Sequence, residues 1–135
     1  MCEDVIAYLD NGDKEGLYKC FSINVRNEVT ELSKQVEYLF SYYLGTFETF
    51  DLKSPYISDG SKMYRQFKRI IDIRTEYTFE TTKNKYTLAM LWRTNDDFDS
   101  KNIGLQSLHI ETYLGEDNRT KKPALINGIT INERN

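Results

Sequence analysis

Histidine occurs once in these 135 residues, tryptophan once, and cysteine and proline twice each. So few His and Cys exclude a multi-histidine metal centre or a zinc finger. No stretch approaches the roughly 18 consecutive apolar residues of a membrane-spanning helix. The opening MCEDVIAYLD lacks the basic and apolar regions of a signal peptide. It still suits the trimmed start of a longer precursor, because Cys stands at position 2. No glycine-rich phosphate loop, nucleophile elbow or HExxH run is present, and there are no repeats. The net charge of −3 argues against a dedicated nucleic-acid binder.

What the chain does have is a balanced interior and surface, with 39% hydrophobic and 29% charged residues. Ten Tyr and seven Phe favour strands and a packed core. The length fits one domain. Charge is uneven, since residues 1–45 carry eight acids against four bases.

The first 45 residues read as helical. Val5, Ile6 and Leu9 form an apolar stripe that Asn11-Gly12 ends. Asp13 caps a second short helix, where Leu17, Tyr18 and Phe21 share a face. Val25, Val29, Leu32, Val36, Leu39, Phe40 and Tyr43 then repeat every three or four residues, which predicts one longer helix stopping at Gly45. Its other face carries Glu28, Glu31, Lys34, Gln35 and Ser41, which water can solvate.

After Gly45 the period falls to two. Residues 46–53 predict a strand, followed by turn signals at Ser54-Pro55 and Asp59-Gly60. Ile71, Ile73, Thr75, Tyr77, Phe79 and Thr81 alternate with polar residues, the pattern of a long strand with one wet face. Tyr86 to Thr94 is apolar on both sides and reads as central. Ile103 to Leu114 returns as another strand, with Leu108 and Ile110 opposite His109 and Glu111. The expected fold is α+β: N-terminal helices packed on a curved antiparallel sheet. The domain covers residues 1–114. Residues 115–135 are a loosely attached tail, or a small hairpin about Asn127-Gly128.

Two short helices, a long amphipathic helix and long antiparallel strands resemble the nuclear-transport-factor-2-like, or cystatin-like, cone fold. AYLDNGDKEGLYKCFS is similar to the opening of many such domains. QVEYLFSYYLGTF, followed late by NIGLQSLHI, resembles an uncharacterised family of bacterial domains often found as secreted lipoproteins. The resemblance implies a sheet curled around the long helix and a pocket between them. Some members of that fold are isomerases, dehydratases or epoxide hydrolases with an Asp or a His–Asp pair in the pocket; others bind ligands, dimerise through the sheet or neutralise a toxin. It also implies a lipid-anchored, extracytoplasmic setting for a trimmed chain.

Candidate chemistry is thin. His109 shares a face with Ser107 and Glu111, the place of a general base or of an ordinary wet-face residue. Asp72 lies among Arg74, Glu76 and Glu80 on the same kind of face, and nothing marks Asp51 as desolvated. Cys20 and His109 make a poor nucleophile–base pair, because Cys20 adjoins an apolar stripe. Cys2 and Cys20 are two reduced thiols or a disulfide between neighbouring helices. Asp96-Asp97-Phe98-Asp99 offers oxygens to Ca²⁺ but lacks a calcium-loop spacing, and a wet turn accounts for it. Lys62, Arg65, Lys68, Arg69 and Arg74, with Tyr64 and Phe67, form one basic cluster, read as a solvated strand face. Asn118-Arg119-Thr120 matches a glycosylation sequon.

The aromatics Tyr42, Tyr43, Phe47, Tyr77 and Trp92 are the candidate pocket lining, since Tyr and Trp bring polar tips to an apolar cavity. The expected function is therefore a non-enzymatic domain binding a small apolar ligand or a protein, with no cofactor, no metal and no nucleic acid. A homodimer through the sheet is compatible with it. The alternative is an isomerase or dehydratase using a carboxylate or His109 in the cone.

Overall fold

The structure is a computed structural model, and it describes residues 2–51, 56–63, 67–113 and 125–132. Helix α1 (Cys2–Asn11) buries Val5, Ile6 and Leu9. Helix α2 (Lys14–Cys20) starts where the Asp13 carboxylate accepts the Gly16 N–H at 2.9 Å. Leu17 and Phe21 turn inward from it.

The single long helix expected next is two helices. Helix α3 (Ile23–Glu28) is capped by the Ser22 hydroxyl, and α4 (Leu32–Tyr42) begins after a break at residues 29–31. The break falls on Val29-Thr30, two β-branched residues that are weak helix formers. A tight turn, Leu32 N–H to Val29 C=O at 3.1 Å, carries the chain across it. Val25, Leu32, Val36 and Leu39 still reach one core. Periodicity recorded which residues go inward, not that the helix is continuous.

The sheet has six strands in a mostly antiparallel, open arrangement: β1 (Phe47–Phe50), β2 (Tyr56–Met63), β3 (Arg69–Thr81), β4 (Lys85–Asp96), β5 (Gly104–Thr112) and β6 (Gly128–Asn132). The fold is α+β, as the pattern implies. Strand β4 is central between β3 and β5, while β1 and β2 share one side of β3. Asp59-Gly60 is not a turn: it pairs with Ile73 and Asp72 in the middle of β2. Gly60 has open space around it, so an outer strand tolerates it.

On the core face, rows run Phe79–Tyr86, Tyr77–Leu88–Ile110–Ile131 and Thr75–Met90–Leu108–Ile129. A register shift at Leu91/Trp92 lets Leu105 and Leu108 both face inward. Gly104, at φ +135°, is where the α2–α3 joint lies on the sheet; a Cβ there would come within 3.0 Å of the Cys20 carbonyl oxygen and the Ser22 nitrogen. The same contact gives Ser22 N–H to Leu105 C=O at 3.0 Å.

The small hairpin about Asn127-Gly128, one of the two readings of the C-terminal residues, does not form. Residues 128–132 are β6, parallel to β5 with Ser107 opposite Gly128 and Glu111 opposite Asn132. Gln35, read as a solvated position, accepts the Ile129 N–H at 2.9 Å and ties α4 to this strand. The sequon at 118–120, Leu114, and the side chains of Cys2, Lys62 and Arg65 lie outside the described residues.

Candidate ligand-binding face

The end of α4 and the starts of β1 and β4 gather the aromatics. Tyr43 and Tyr86 stack at 5.7 Å between ring centroids, and Phe79 lies 5.7 Å from Tyr86. Phe47, Phe50 and Tyr77 continue the row, at 5.0 Å and 5.6 Å. Four of the five candidate pocket residues therefore meet here: Tyr42, Tyr43, Phe47 and Tyr77. Trp92 does not. It sits opposite Ile73 and Leu105, about 20 Å along β4 from Tyr86 at the usual strand rise.

Hydroxyl groups at the aromatic end are committed to internal partners. Tyr42 bonds Thr112 at 2.9 Å, and Tyr43 donates to Asp10, whose carboxylate also accepts the Phe47 N–H at 3.0 Å. Burial first, then the Asp10 hydrogen bond and charge, push the Tyr43 phenol well above its ordinary range. Tyr86, fully buried, accepts from Leu44 N–H at 2.9 Å and Asn84 Nδ2 at 3.1 Å and donates to the Tyr42 carbonyl at 3.2 Å. Thr81 Oγ1 donates to the Leu44 carbonyl at 2.6 Å. The α4–β1 link is thereby sewn onto the β3–β4 turn.

Packing differs along the row. Tyr43, Phe79 and Tyr86 are core residues, whereas Phe47, Phe50, Tyr77 and Trp92 pack against the core yet remain partly exposed. Beside Trp92 on the same face is Thr75, with 0% exposure. Thr75 Oγ1 and Trp92 Nε1 are both buried and neither forms a hydrogen bond. Sequence reading passed over Thr75, Phe50 and Tyr86. Their positions on the alternating apolar face of two long strands were the available signal.

The opposite face is not wet. Glu76, Thr78, Thr87 and His109 are all under 9% exposed. Glu76 and His109 flank Ala89 in one row across three strands, and His109 Nε2 lies 3.8 Å from Glu111 Oε2. Alternation placed His109 on the correct face but could not say that the face is covered. Asp72 is occupied by Arg93, which donates at 2.8 Å and 3.2 Å, and Asp51 is paired with Lys85 at 3.2 Å.

Nor is the acidic loop simply a solvated turn. The Asp96 side chain is 1% exposed. It accepts the Phe98 and Asp99 N–H groups at 2.9 Å and 3.0 Å, the Asn102 amide at 3.1 Å and Arg93 Nη1 at 3.3 Å. Desolvation pushes Asp96 upward, but these donors outweigh it and hold the carboxyl below its usual range. Its oxygens are already engaged by donors, which is the opposite of a cation site. Among the described residues, no group of three His, Cys, Asp or Glu is placed to hold a metal ion. Cys20 is a free, half-buried thiol, and burial raises it above the ordinary thiol value. That makes it a poor nucleophile at neutral pH.

Phe67, from the basic cluster, is 85% exposed at φ +59°. Elsewhere a shallow groove of about 200 Å³ lies between α2 and α4, lined by Lys14, Tyr18, Val36 and Glu37. No helix among the described residues is long and apolar enough to cross a membrane.

These features define an α+β domain whose helices cover part of one sheet face and leave an aromatic margin beside the core. The chain belongs to the family described as a domain of unknown function (DUF5104), whose model matches residues 4–120. Among curated proteins no match to the sequence is found.

Proposed function

We propose that the protein is a non-enzymatic binding domain for a small apolar ligand, held on the helix-facing side of the sheet. One observation carries this reading: Phe47, Phe50, Tyr77 and Trp92 point to the core side but stay partly exposed. Aromatic side chains left partly open beside a core are the usual lining of small-molecule sites. The reading agrees with the resemblance to nuclear-transport-factor-2-like cones and to bacterial lipoprotein domains, which favours a lipid-anchored, extracytoplasmic setting. Two copies pairing through the sheet would leave this side free. Native mass spectrometry before and after denaturation tests the proposal. Extra mass lost on unfolding supports it. A clean apo mass, with no response of Trp92 fluorescence to a panel of apolar compounds, refutes it.

Acid–base chemistry is the second reading, favoured by the burial of Glu76 and His109 on either side of Ala89, with the half-buried Glu111 3.8 Å from His109 Nε2. It would operate on the face opposite the aromatic margin, not inside the cone. Loss of any detected turnover in His109→Gln, with the fold intact, would support it over simple binding.

A further inference from the structure

Buried polar atoms almost always find partners, because an unmet donor or acceptor costs the full desolvation of that group. Two exceptions here are neighbours. Thr75 pairs with Met90 and Trp92 pairs with Ile73, so Thr75 and Trp92 are diagonal neighbours on one face. Such neighbours lie within about 7–8 Å and within reach of an aromatic side chain. Around them Ile73, Met90, Leu105 and Leu108 supply only apolar surface. Among the described side chains of that patch, Thr75 Oγ1 and Trp92 Nε1 are the polar atoms, and neither has a hydrogen bond.

We propose that Thr75 and Trp92 are the polar anchor of the ligand site, taking one neutral oxygen, a carbonyl or hydroxyl, on an otherwise apolar molecule. This deepens the binding function argued above and rests on it. The indole N–H donates only, so the ligand atom must accept. The threonine hydroxyl donates as well, and one carbonyl oxygen has two lone pairs to receive both. A neutral acceptor fits better than a carboxylate, because a charge buried among these apolar side chains without a cation would be strongly disfavoured.

The test compares two probes that differ in the anchor alone. 2-Octanone carries the carbonyl oxygen, and 2-methyl-1-octene replaces it with a methylene of the same shape. Trp92 is the single tryptophan of the chain, so its emission reports directly on the site. Both are titrated into the wild-type protein and into Thr75→Val, which removes the hydroxyl and keeps the shape. For the wild type the ketone should bind about 25-fold tighter than the alkene, the value of two hydrogen bonds at about fivefold each. In Thr75→Val the ratio should fall about fivefold from its wild-type value, because the threonine bond is lost and the Trp92 N–H still donates, while the ligand-free protein melts at a higher temperature because an unmet hydroxyl is gone. Equal binding of the two probes to the wild type overturns the anchor and leaves an apolar binding domain standing. Binding of neither overturns both. A lower melting temperature for ligand-free Thr75→Val also overturns the anchor, since the hydroxyl would then already be satisfied.

Discussion

Tyr86→Phe removes one oxygen and no packing, which makes it the sharpest perturbation of the joint between α4 and the sheet. The ring is fully buried and would stay in its contacts with Tyr42, Tyr43 and Phe79. Three hydrogen bonds vanish: from Leu44 N–H at 2.9 Å, from Asn84 Nδ2 at 3.1 Å, and to the Tyr42 carbonyl at 3.2 Å. At about 0.5–1.5 kcal/mol each, the sum lies between about 1.5 and 4.5 kcal/mol. Leu44 is half exposed, so water recovers part of the loss at its N–H. The expected cost is therefore about 2–3 kcal/mol, or a fall of roughly 8–12 °C in Tm for a domain of this size. Urea unfolding of both proteins, fitted with a common m-value, measures it. Tyr42→Phe, which loses the single bond to Thr112, should cost only about 0.5–1.5 kcal/mol. Should Tyr86→Phe cost under about 0.5 kcal/mol, the hydroxyl is not the hub described, and the α4–β1 link is held by packing and by the Thr81, Thr82 and Asp10 hydrogen bonds.

Gly45 sits at φ +87°, and a Cβ there would meet Thr82 Oγ1 at 2.7 Å and the Lys83 nitrogen at 2.8 Å. Gly45→Ala should cost about 2–4 kcal/mol in the same assay, through strain and loss of the Thr46–Thr82 bond. Phe67 occupies the left-handed region in full exposure, so Phe67→Asn should stabilise by about 0.5–1 kcal/mol, read as a rise in urea midpoint. Asp96 and Asp99 both titrate below the ordinary aspartate value; for Asp99 the Asn24 amide and the Lys101 N–H are the main causes. A folded pKa below the unfolded one stabilises fully above roughly pH 4 and is lost as pH falls through the lower folded value. Asp96→Asn should flatten the drop in stability between roughly pH 4 and pH 2, measured by Tm across that range.

Local patterns reported what local physics decides. Asp13 was legible as a cap because a carboxylate before a helix meets free N–H groups whatever the rest of the chain does. The β3 and β4 strands were legible because alternation sets which face meets the core. Val29-Thr30 misled because three-to-four spacing survives a break that keeps the same side inward. Asp59-Gly60 misled because the residues that form turns are also tolerated in an outer strand. The wet face misled for a different reason: alternation separates two faces, but burial depends on what lies above each. In the candidate site, Trp92 was chosen for its chemistry and Thr75 was passed over as a small strand residue. Only the register, which joins residues far apart in sequence, makes them neighbours. Gln35 and Ile129, ninety-four residues apart, were beyond any local reading for the same reason.

The position of β6 has a consequence during synthesis. Strand β5 carries Leu105, Leu108 and Ile110 inward, and its outer edge from Ser107 to Glu111 stays unpaired until residues 128–132 emerge from the ribosome. An apolar strand waiting with open N–H and C=O groups is a template for pairing between nascent chains. Residues 128–132 are thus the ones that retire this hazard, and Gln35, already in place on α4, is the latch that receives them. A chain stopped at residue 120 would contain every residue matched by the family model and still display that edge.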